Sequence, residues 1–244
     1  GKVAEAIRQW VELRQQGDGS VALSPAGSGL DPELLEFPEQ ALACARREAG
    51  RLGDITEGLL SRAMEMFDAS DRSEIERIIA ADREINLRNR AIHQYLSEAR
   101  RHISEQALER ELDRTLHYSS TMENIGDIVS HDLSRLAIKR LERNVSFSAE
   151  GQQEIQQIHQ AVMALLRAEI NGFVGGRPVT PGQVRQMAGE IRALCEQSVD
   201  NHRRRLSEHR LSSQGTSSIH QDTVRDLMHV AGLLEHRPVS SAAT

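Results

Sequence analysis

The segment TMENIGDIVSHD, residues 121–132, places two carboxylates and a histidine at successive four-residue steps, namely Glu123, Asp127 and His131. Residues four apart share one face of an α-helix, so these side chains should form a column. Carboxylates stacked in this way repel each other unless a cation, an arginine or solvent offsets their charge. Gly126 costs a helix interior about 1 kcal/mol, which indicates that something approaches the backbone closely there. The segment therefore predicts a helix whose acidic column faces a metal ion, a partner or water.

The amino-acid composition is typical of a helical protein. Aromatic residues make up only 3% of the 244 residues and there are only six prolines, whereas helix formers such as Ala, Leu, Glu and Arg are frequent. Charged residues are 27% of the chain, mix both signs and sum to a net charge of −6, which argues against a nucleic-acid-binding protein. Cys44 and Cys195 lack CxxC spacing, so we expect small core residues in a reducing compartment rather than a disulfide or zinc site.

Membrane and export signals are absent from the sequence. No apolar run approaches the roughly 20 residues that span a bilayer, and no signal peptide is recognisable. The start at Gly1, without a methionine, is compatible with a fragment of a longer protein.

The spacing of apolar residues predicts one short helix and six longer ones. Residues 1–16 should form the short helix, and the Gly-, Ser- and Pro-rich residues 17–31 a linker that packs weakly. The longer helices are predicted from Pro38 through Phe67, from Ser73 through Leu96, from about residue 105 to 144, from the capping Ser146 and Ser148 to about Phe173, from Pro181 with Thr180 as N-cap to about His202, and from about residue 217 to Leu234.

Three helices followed by three of similar pattern indicate an internal repeat with a period of about 110 residues. The predicted division is an N-terminal helix and linker over 1–37, a first repeat over 38–144, and a second repeat with a short C-terminal tail over 145–244. The predicted fold class is all-α, with two tandem three-helix repeats forming an elongated bundle.

Four helical segments with acidic residues recur along the sequence, namely RLGDITEGLLSRAMEMF (51–67), ADREIN (81–86), MENIGD (122–127) and CEQSVD (195–200). Together they resemble the PhoU family, and the resemblance covers roughly residues 38–236. More narrowly, LDPELLEFPEQALACARRE (30–48) resembles the soluble C-terminal region of bacterial sodium/phosphate cotransporters. The resemblance implies a PhoU-like helical bundle.

Members of this family bind metal ions on acidic helix faces, so the resemblance also implies a divalent or trivalent metal ion, with iron, zinc and magnesium as candidates. Hard cations prefer carboxylate oxygens, and two carboxylates at i,i+4 can bind one ion together. The positions that match are Asp82, Asn86, Glu123 and Asp127 in the first repeat and Glu196 and Asp200 in the second, with His131 and Glu235 as additional candidates. The partner expected four residues after Glu235 is replaced by Val239, so a full second metal site is not expected.

A simpler explanation of these acidic pairs is a solvated helix face, which is the usual state of an ExxxD pair in a charged helix. Glu196 and Asp200 point well away from the apolar stripe of their helix, so both are expected to be exposed. Asp222 and Asp226 form one more i,i+4 pair, and Asp222 could serve only the dipole of a nearby helix N-terminus.

Motifs of enzymes are missing from the sequence. It contains no ExxH pair of a di-iron oxidase, no GxxxxGK[ST], no GxGxxG and no GxSxG. The resemblance implies a non-enzymatic regulatory domain of a sodium-dependent phosphate cotransporter that modulates phosphate uptake at the cytoplasmic side of the bacterial inner membrane. Its implied partner is the membrane-embedded transporter portion of the same protein, with a homodimer left open and nucleic acid excluded. The alternatives are a free-standing PhoU-like adaptor without metal and, more remotely, a metal-dependent helical enzyme.

Overall fold

The computed structural model describes residues 29–207 and 211–236, and of residues 211–215 it describes only the backbone. The predicted helix over 1–16, most of the predicted linker and the C-terminal tail lie outside these residues. Every regular element within them is helical, and none is a strand. The predicted all-α fold class is confirmed.

Eight α-helices follow one another in the described residues. They are α1 (Pro38–Ser61), α2 (Arg72–Ile79), α3 (Asp82–Ala99), α4 (Gln106–Asp127), α5 (Ser134–Glu142), α6 (Ala149–Val174), α7 (Pro181–Ser207) and α8 (Leu211–Glu235). A π-helical segment, Ile128–Leu133, joins α4 to α5, and short 3₁₀ helices occupy Pro32–Glu36, Ala63–Phe67 and Arg100–His102.

The predicted helix starts at Pro38, Ser148 and Pro181 are confirmed, and two of them show the expected cap. The Ser148 hydroxyl accepts a hydrogen bond from the backbone N–H of Gly151 at 3.1 Å. The Thr180 hydroxyl accepts one from the backbone N–H of Gln183 at 3.3 Å. Such caps satisfy backbone donors that the first turn of a helix leaves unpaired, so a local sequence signal is enough to set these starts.

Other predicted boundaries are wrong. The helix expected from Ser73 through Leu96 is broken at residues 80–81, where the sequence is Ala-Ala and gives no Gly or Pro signal. The first long helix ends at Ser61, and a 3₁₀ helix continues to Phe67. The last helix begins at Leu211, about two turns before the predicted start.

One compact unit, unit 1, contains residues 29–53 and 83–123 of the described chain. Its helical parts are the beginning of α1, nearly all of α3 and most of α4. Its fully buried side chains include Leu42, Leu52, Ile85, Ile92, Tyr95, Leu96, Leu112 and Met122. Each buried Leu or Ile contributes roughly 2 kcal/mol by leaving water, so this core holds the three helices together.

The second compact unit, unit 2, contains residues 54–82, 124–207 and 211–236 of the described chain. Helices α6, α7 and α8 pack pairwise and bury a core that includes Ile155, Val162, Leu165, Leu166, Val184, Ile191, Ile219, Leu227 and Val230. The compact units do not follow the predicted division between residues 144 and 145. That division concerns internal repetition, and it stays a prediction.

Residues 29–31 correct the expectation of a weakly packed linker. Leu30 is only 3% exposed, and the carbonyl oxygen of Asp31 accepts a hydrogen bond from the Tyr95 hydroxyl at 2.7 Å. Leucine supplies apolar surface within an otherwise polar run, which is why this end of the predicted linker packs.

Candidate functional site

The first-repeat residues predicted to bind metal lie on two helices. Asp82 is the first residue of α3 and Asn86 follows one turn later, whereas Glu123 and Asp127 lie in the last two turns of α4. All four side chains are half-buried. Gly126, between the two carboxylates of α4, is buried.

His131 lies in the π-helical segment, where each turn holds one residue more than an α-helix predicts. Its ring Nδ1 is 3.2 Å from the backbone carbonyl oxygen of Asp127 and 3.6 Å from Asp127 Oδ1, and the ring is exposed. The predicted column therefore persists as a contact between Asp127 and His131, even though the helix changes its periodicity there.

The second-repeat residues are engaged at the surface of unit 2. Glu196 and Asp200 are exposed, and Asp200 Oδ1 is 3.3 Å from Arg203 Nη1. Both carboxylate oxygens of Glu235 accept hydrogen bonds from Arg192, at 2.6 and 3.4 Å, and the Glu235 carboxylate raises the pKa of Arg192. Arginine thus neutralises two of these three carboxylates without a metal ion.

No group of three or more His, Cys, Asp or Glu side chains within the described residues is arranged to hold a metal ion. The predicted ligands offer the hard oxygen donors that a cation such as magnesium prefers. Metal binding by this chain stays a prediction.

A buried polar cluster in unit 2 was not predicted; we call it the Glu154 cluster. It contains Glu154 of α6, Ser198, Asn201, His202 and Arg205 of α7, and His220 of α8. Arg205 holds the Glu154 carboxylate at two points, with Nη1–Oε1 and Nη2–Oε2 distances of 2.7 and 2.9 Å. Asn201 Nδ2 donates to Oε1 at 3.0 Å. The cluster therefore ties α6 to α7 through one carboxylate.

Two histidines complete the Glu154 cluster. The rings of His202 and His220 stack with centroids 4.7 Å apart and an interplanar angle of 11°, and each residue is 2% exposed. His220 Nε2 is 3.5 Å from Glu154 Oε2, and the Phe147 ring meets the His220 ring edge-on at 6.1 Å between centroids. Burial, followed by the neighbouring His202, lowers the pKa of His220 to about 4. Both rings therefore face an environment that favours neutral imidazole.

The contacts among Ser198, His220 and Glu154 bring together the residue types of a hydrolytic triad, but the geometry is different. Ser198 Oγ donates to Glu154 Oε2 at 3.1 Å and is 3.5 Å from His220 Nε2. A nucleophilic serine must donate to the imidazole and reach a substrate, whereas Ser198 is 1% exposed. The Glu154 cluster is therefore a structural network that sets how α6, α7 and α8 pack.

One feature of the sequence could have indicated this network. His202 lies on the apolar stripe of α7, which marks a buried polar residue in need of a partner. The partners come from α6 and α8, and no local spacing relates Glu154 to Arg205 or His220. The cluster therefore became visible only when the three helices were packed.

Asp226 is a second buried acidic residue of unit 2. The sequence showed it only as one member of the pair Asp222 and Asp226 and did not predict its burial. Its Oδ2 accepts no hydrogen bond from the described residues, and burial raises its pKa, with Asp132 and Asp222 adding to that increase. Asp222 contacts Arg225 at 2.8 Å. Because α8 begins at Leu211, Asp222 is three turns inside the helix, and its assignment to a helix N-terminus is wrong.

Comparison with protein families matches residues 49–132 to the PhoU domain. A PhoU domain is thus found at residues 49–132. The match includes Asp82, Asn86, Glu123 and Asp127, so the resemblance inferred from the sequence is confirmed at the level of the family. No solved structure matches the chain.

Curated relatives match most of the chain. The putative inorganic phosphate export protein YjbB of Escherichia coli strain K12 is 27% identical over 204 residues, which cover 84% of this chain and 37% of that protein. The protein of the same description from Salmonella typhimurium strain LT2 is 28% identical over 206 residues, covering 84% of this chain and 37% of that protein. The chain thus spans just over a third of the length of these relatives. In the described part of this chain, no helix is both long enough and apolar enough to cross a membrane.

Proposed function

We propose that this chain is a non-enzymatic regulatory domain that controls the movement of phosphate through a membrane transporter. The PhoU domain at residues 49–132 carries the proposal, together with relatives described as putative inorganic phosphate export proteins. The burial of Ser198 argues against the Glu154 cluster acting as a hydrolytic site.

In this proposal the domain and the transporter that it regulates are parts of one polypeptide. The transporter is a sodium-dependent phosphate cotransporter, and the domain lies at the cytoplasmic side of the inner membrane. More than half of each relative lies outside the matched region, which leaves room for a membrane-embedded portion. The relatives are described as exporters, whereas the sequence resemblance implies uptake. The direction of phosphate movement is therefore part of what an experiment must decide.

The test is a flux measurement on the complete gene product in cells that lack other phosphate transporters. Removal of residues 38–236 should change the rate of radiolabelled phosphate movement severalfold while leaving the transporter in the membrane, because a regulatory domain biases an activity that it does not itself supply. Uptake and efflux are measured separately, with sodium and with potassium. An equal flux with and without the domain would contradict the proposal. It would favour the alternative function, a free-standing PhoU-like adaptor.

Metal binding is a separate part of the proposal: Asp82 and Asn86 on α3, and Glu123 and Asp127 on α4, are the candidate oxygen ligands for a divalent or trivalent cation. A bound ion would neutralise the negative charge of the half-buried carboxylates of Asp82, Glu123 and Asp127. A site in unit 2 formed by Glu196, Asp200 and Glu235 is not proposed, because Arg203 and Arg192 already pair with two of them.

Addition of the correct metal to EDTA-treated protein should raise its melting temperature, since a ligand at about 100 times its dissociation constant stabilises the folded state by about 2.7 kcal/mol. Magnesium, manganese, zinc and iron are titrated separately against the wild type. Asp127→Asn should weaken the response, and Glu196→Gln, a change at an exposed carboxylate outside the proposed site, should not. If no metal changes the melting temperature, or if Asp127→Asn responds like the wild type, the metal assignment is wrong.

A further inference from the structure

Residues 29–36 lie ahead of α1 and pack against the helices of unit 1. Leu30 and Leu35 are 3% and 2% exposed, although both belong to a segment without α-helical structure. Asp31 caps the 3₁₀ helix Pro32–Glu36 by accepting a hydrogen bond from the backbone N–H of Glu33 at 3.0 Å. The segment is therefore ordered by its own cap and by two buried leucines.

Three side chains of unit 1 bind the main chain of this segment. The backbone N–H of Gly29 donates to Glu48 Oε2 at 3.2 Å, and Cys44 Sγ contacts the Gly29 carbonyl oxygen. The Tyr95 hydroxyl donates to the carbonyl oxygen of Asp31 at 2.7 Å. Glu48 and Cys44 belong to α1 and Tyr95 to α3, so the segment is tied to two helices.

Of the three side chains that bind residues 29–36, which are those of Cys44, Glu48 and Tyr95, that of Glu48 is the charged one. Glu48 is 1% exposed. Its Oε1 accepts a hydrogen bond from Arg88 Nη1, and its Oε2 is 3.3 Å from Arg51 Nη1. Arg88 is also held by Glu84 Oε1, at 2.9 Å from Nε and 2.7 Å from Nη2. Arg88 would therefore keep a carboxylate partner if Glu48 lost its charge, so the helices do not depend on Glu48 alone.

We propose that residues 29–36 are a releasable strap, locked on unit 1 by the Glu48 carboxylate, whose release uncovers the Cys44 thiol while the helices stay folded. The lock therefore sets how readily residues 29–36 leave α1 and α3, whether or not the domain serves a transporter. Short segments held by few contacts open locally at a lower free energy than the core around them.

The test measures thiol alkylation of the whole chain, with Cys44 and Cys195 followed separately by mass spectrometry. Glu48→Gln should raise the rate of Cys44 alkylation by about tenfold or more, because it removes a charge-assisted hydrogen bond to the strap. Cys195, buried in unit 2, should change by less than about twofold, because opening of the strap is local. Circular dichroism should show unchanged helicity.

Two further variants separate the strap from the ion pair. Glu84→Gln removes the other carboxylate on Arg88 but no strap contact, and should leave the Cys44 rate near that of the wild type. Tyr95→Phe removes the hydroxyl that donates to the Asp31 carbonyl oxygen and also interacts with Cys44, and it should accelerate Cys44 alkylation less than Glu48→Gln does. The proposal is overturned if Cys44 and Cys195 accelerate together, if Glu84→Gln acts like Glu48→Gln, or if Glu48→Gln changes nothing.

Discussion

Replacement of Arg205 by leucine should lower the free energy of unfolding by about 3 kcal/mol, because it leaves the Glu154 carboxylate buried without its charge partner. The side chains of Arg205 and Glu154 are only 7% and 15% exposed. Asn201 and Ser198 would still donate hydrogen bonds to Glu154, but neither carries a charge. Urea unfolding followed by circular dichroism at neutral pH measures the loss.

The matched control for Arg205→Leu is Arg192→Leu. Whereas Arg205 joins α7 to α6, Arg192 joins α7 to α8 through the carboxylate of Glu235, but this pair lies at the surface, where water screens it. Arg192→Leu should therefore cost a small fraction of the loss seen for Arg205→Leu. The double variant Glu154→Gln with Arg205→Leu should recover much of that loss, since both charges are then gone. Equal costs for the two single arginine variants would show that the Glu154 cluster does not hold unit 2 together.

Acidification from about pH 6.5 to about pH 4 should lower the free energy of unfolding by roughly 3 kcal/mol through His220 alone. Burial first, and then His202, lowers the pKa of His220 to about 4 in the folded protein, against about 6.5 for an ordinary histidine. As the pH falls below the unfolded value, the unfolded state binds a proton that the folded state does not, and stability falls until His220 is protonated in both states. The stabilisation that comes from keeping His220 neutral is therefore fully present above about pH 6.5 and is lost as the pH falls to about 4.

The measurement is urea unfolding at several pH values across this window for the wild type, His220→Phe and His229→Gln. His220→Phe keeps a ring beside Phe147 but cannot be protonated, so its stability should depend less on pH. His229 is exposed on the same helix, and His229→Gln should keep the wild-type dependence. Glu154 adds a loss at lower pH, because the hydrogen bonds and charge of Arg205 outweigh burial and hold its pKa below the usual value. An unchanged pH dependence in His220→Phe would contradict the assignment.

Local signals in the sequence predicted the helix starts that depend only on neighbouring residues. Ser148 and Thr180 cap their helices through backbone groups three residues away, and Pro38 fits a first helical turn wherever that helix packs. The break at residues 80–81 has no such signal, and the apolar periodicity continues across it through Ile78 and Ile85. Helix periodicity alone therefore could not divide α2 from α3.

In the candidate site, too, the pattern within one helix predicts which residues are exposed but not which residues of another helix they contact. The exposure of Glu196 and Asp200 was predicted correctly, because the face on which a residue lies depends only on its spacing from the apolar stripe of its own helix. The pairing of Glu235 with Arg192 was not predicted, because these residues are 43 positions apart and meet only where α8 packs on α7. Asp226 was likewise not recognised as buried, although Ile219, Thr223 and Val230, which are buried at three- and four-residue steps, lie on its face of the helix.

The sequence by itself determined the all-α class, the main helix starts and the PhoU resemblance, because each rests on periodicity, capping or motif order along one stretch of chain. Only the tertiary structure decided which polar residues are buried together. Glu154, Arg205 and His220 come from three helices, and Gly29 meets Glu48 across 19 residues. A buried charge is stable only beside its partner, and that partner is set by how the helices pack rather than by any spacing within one of them.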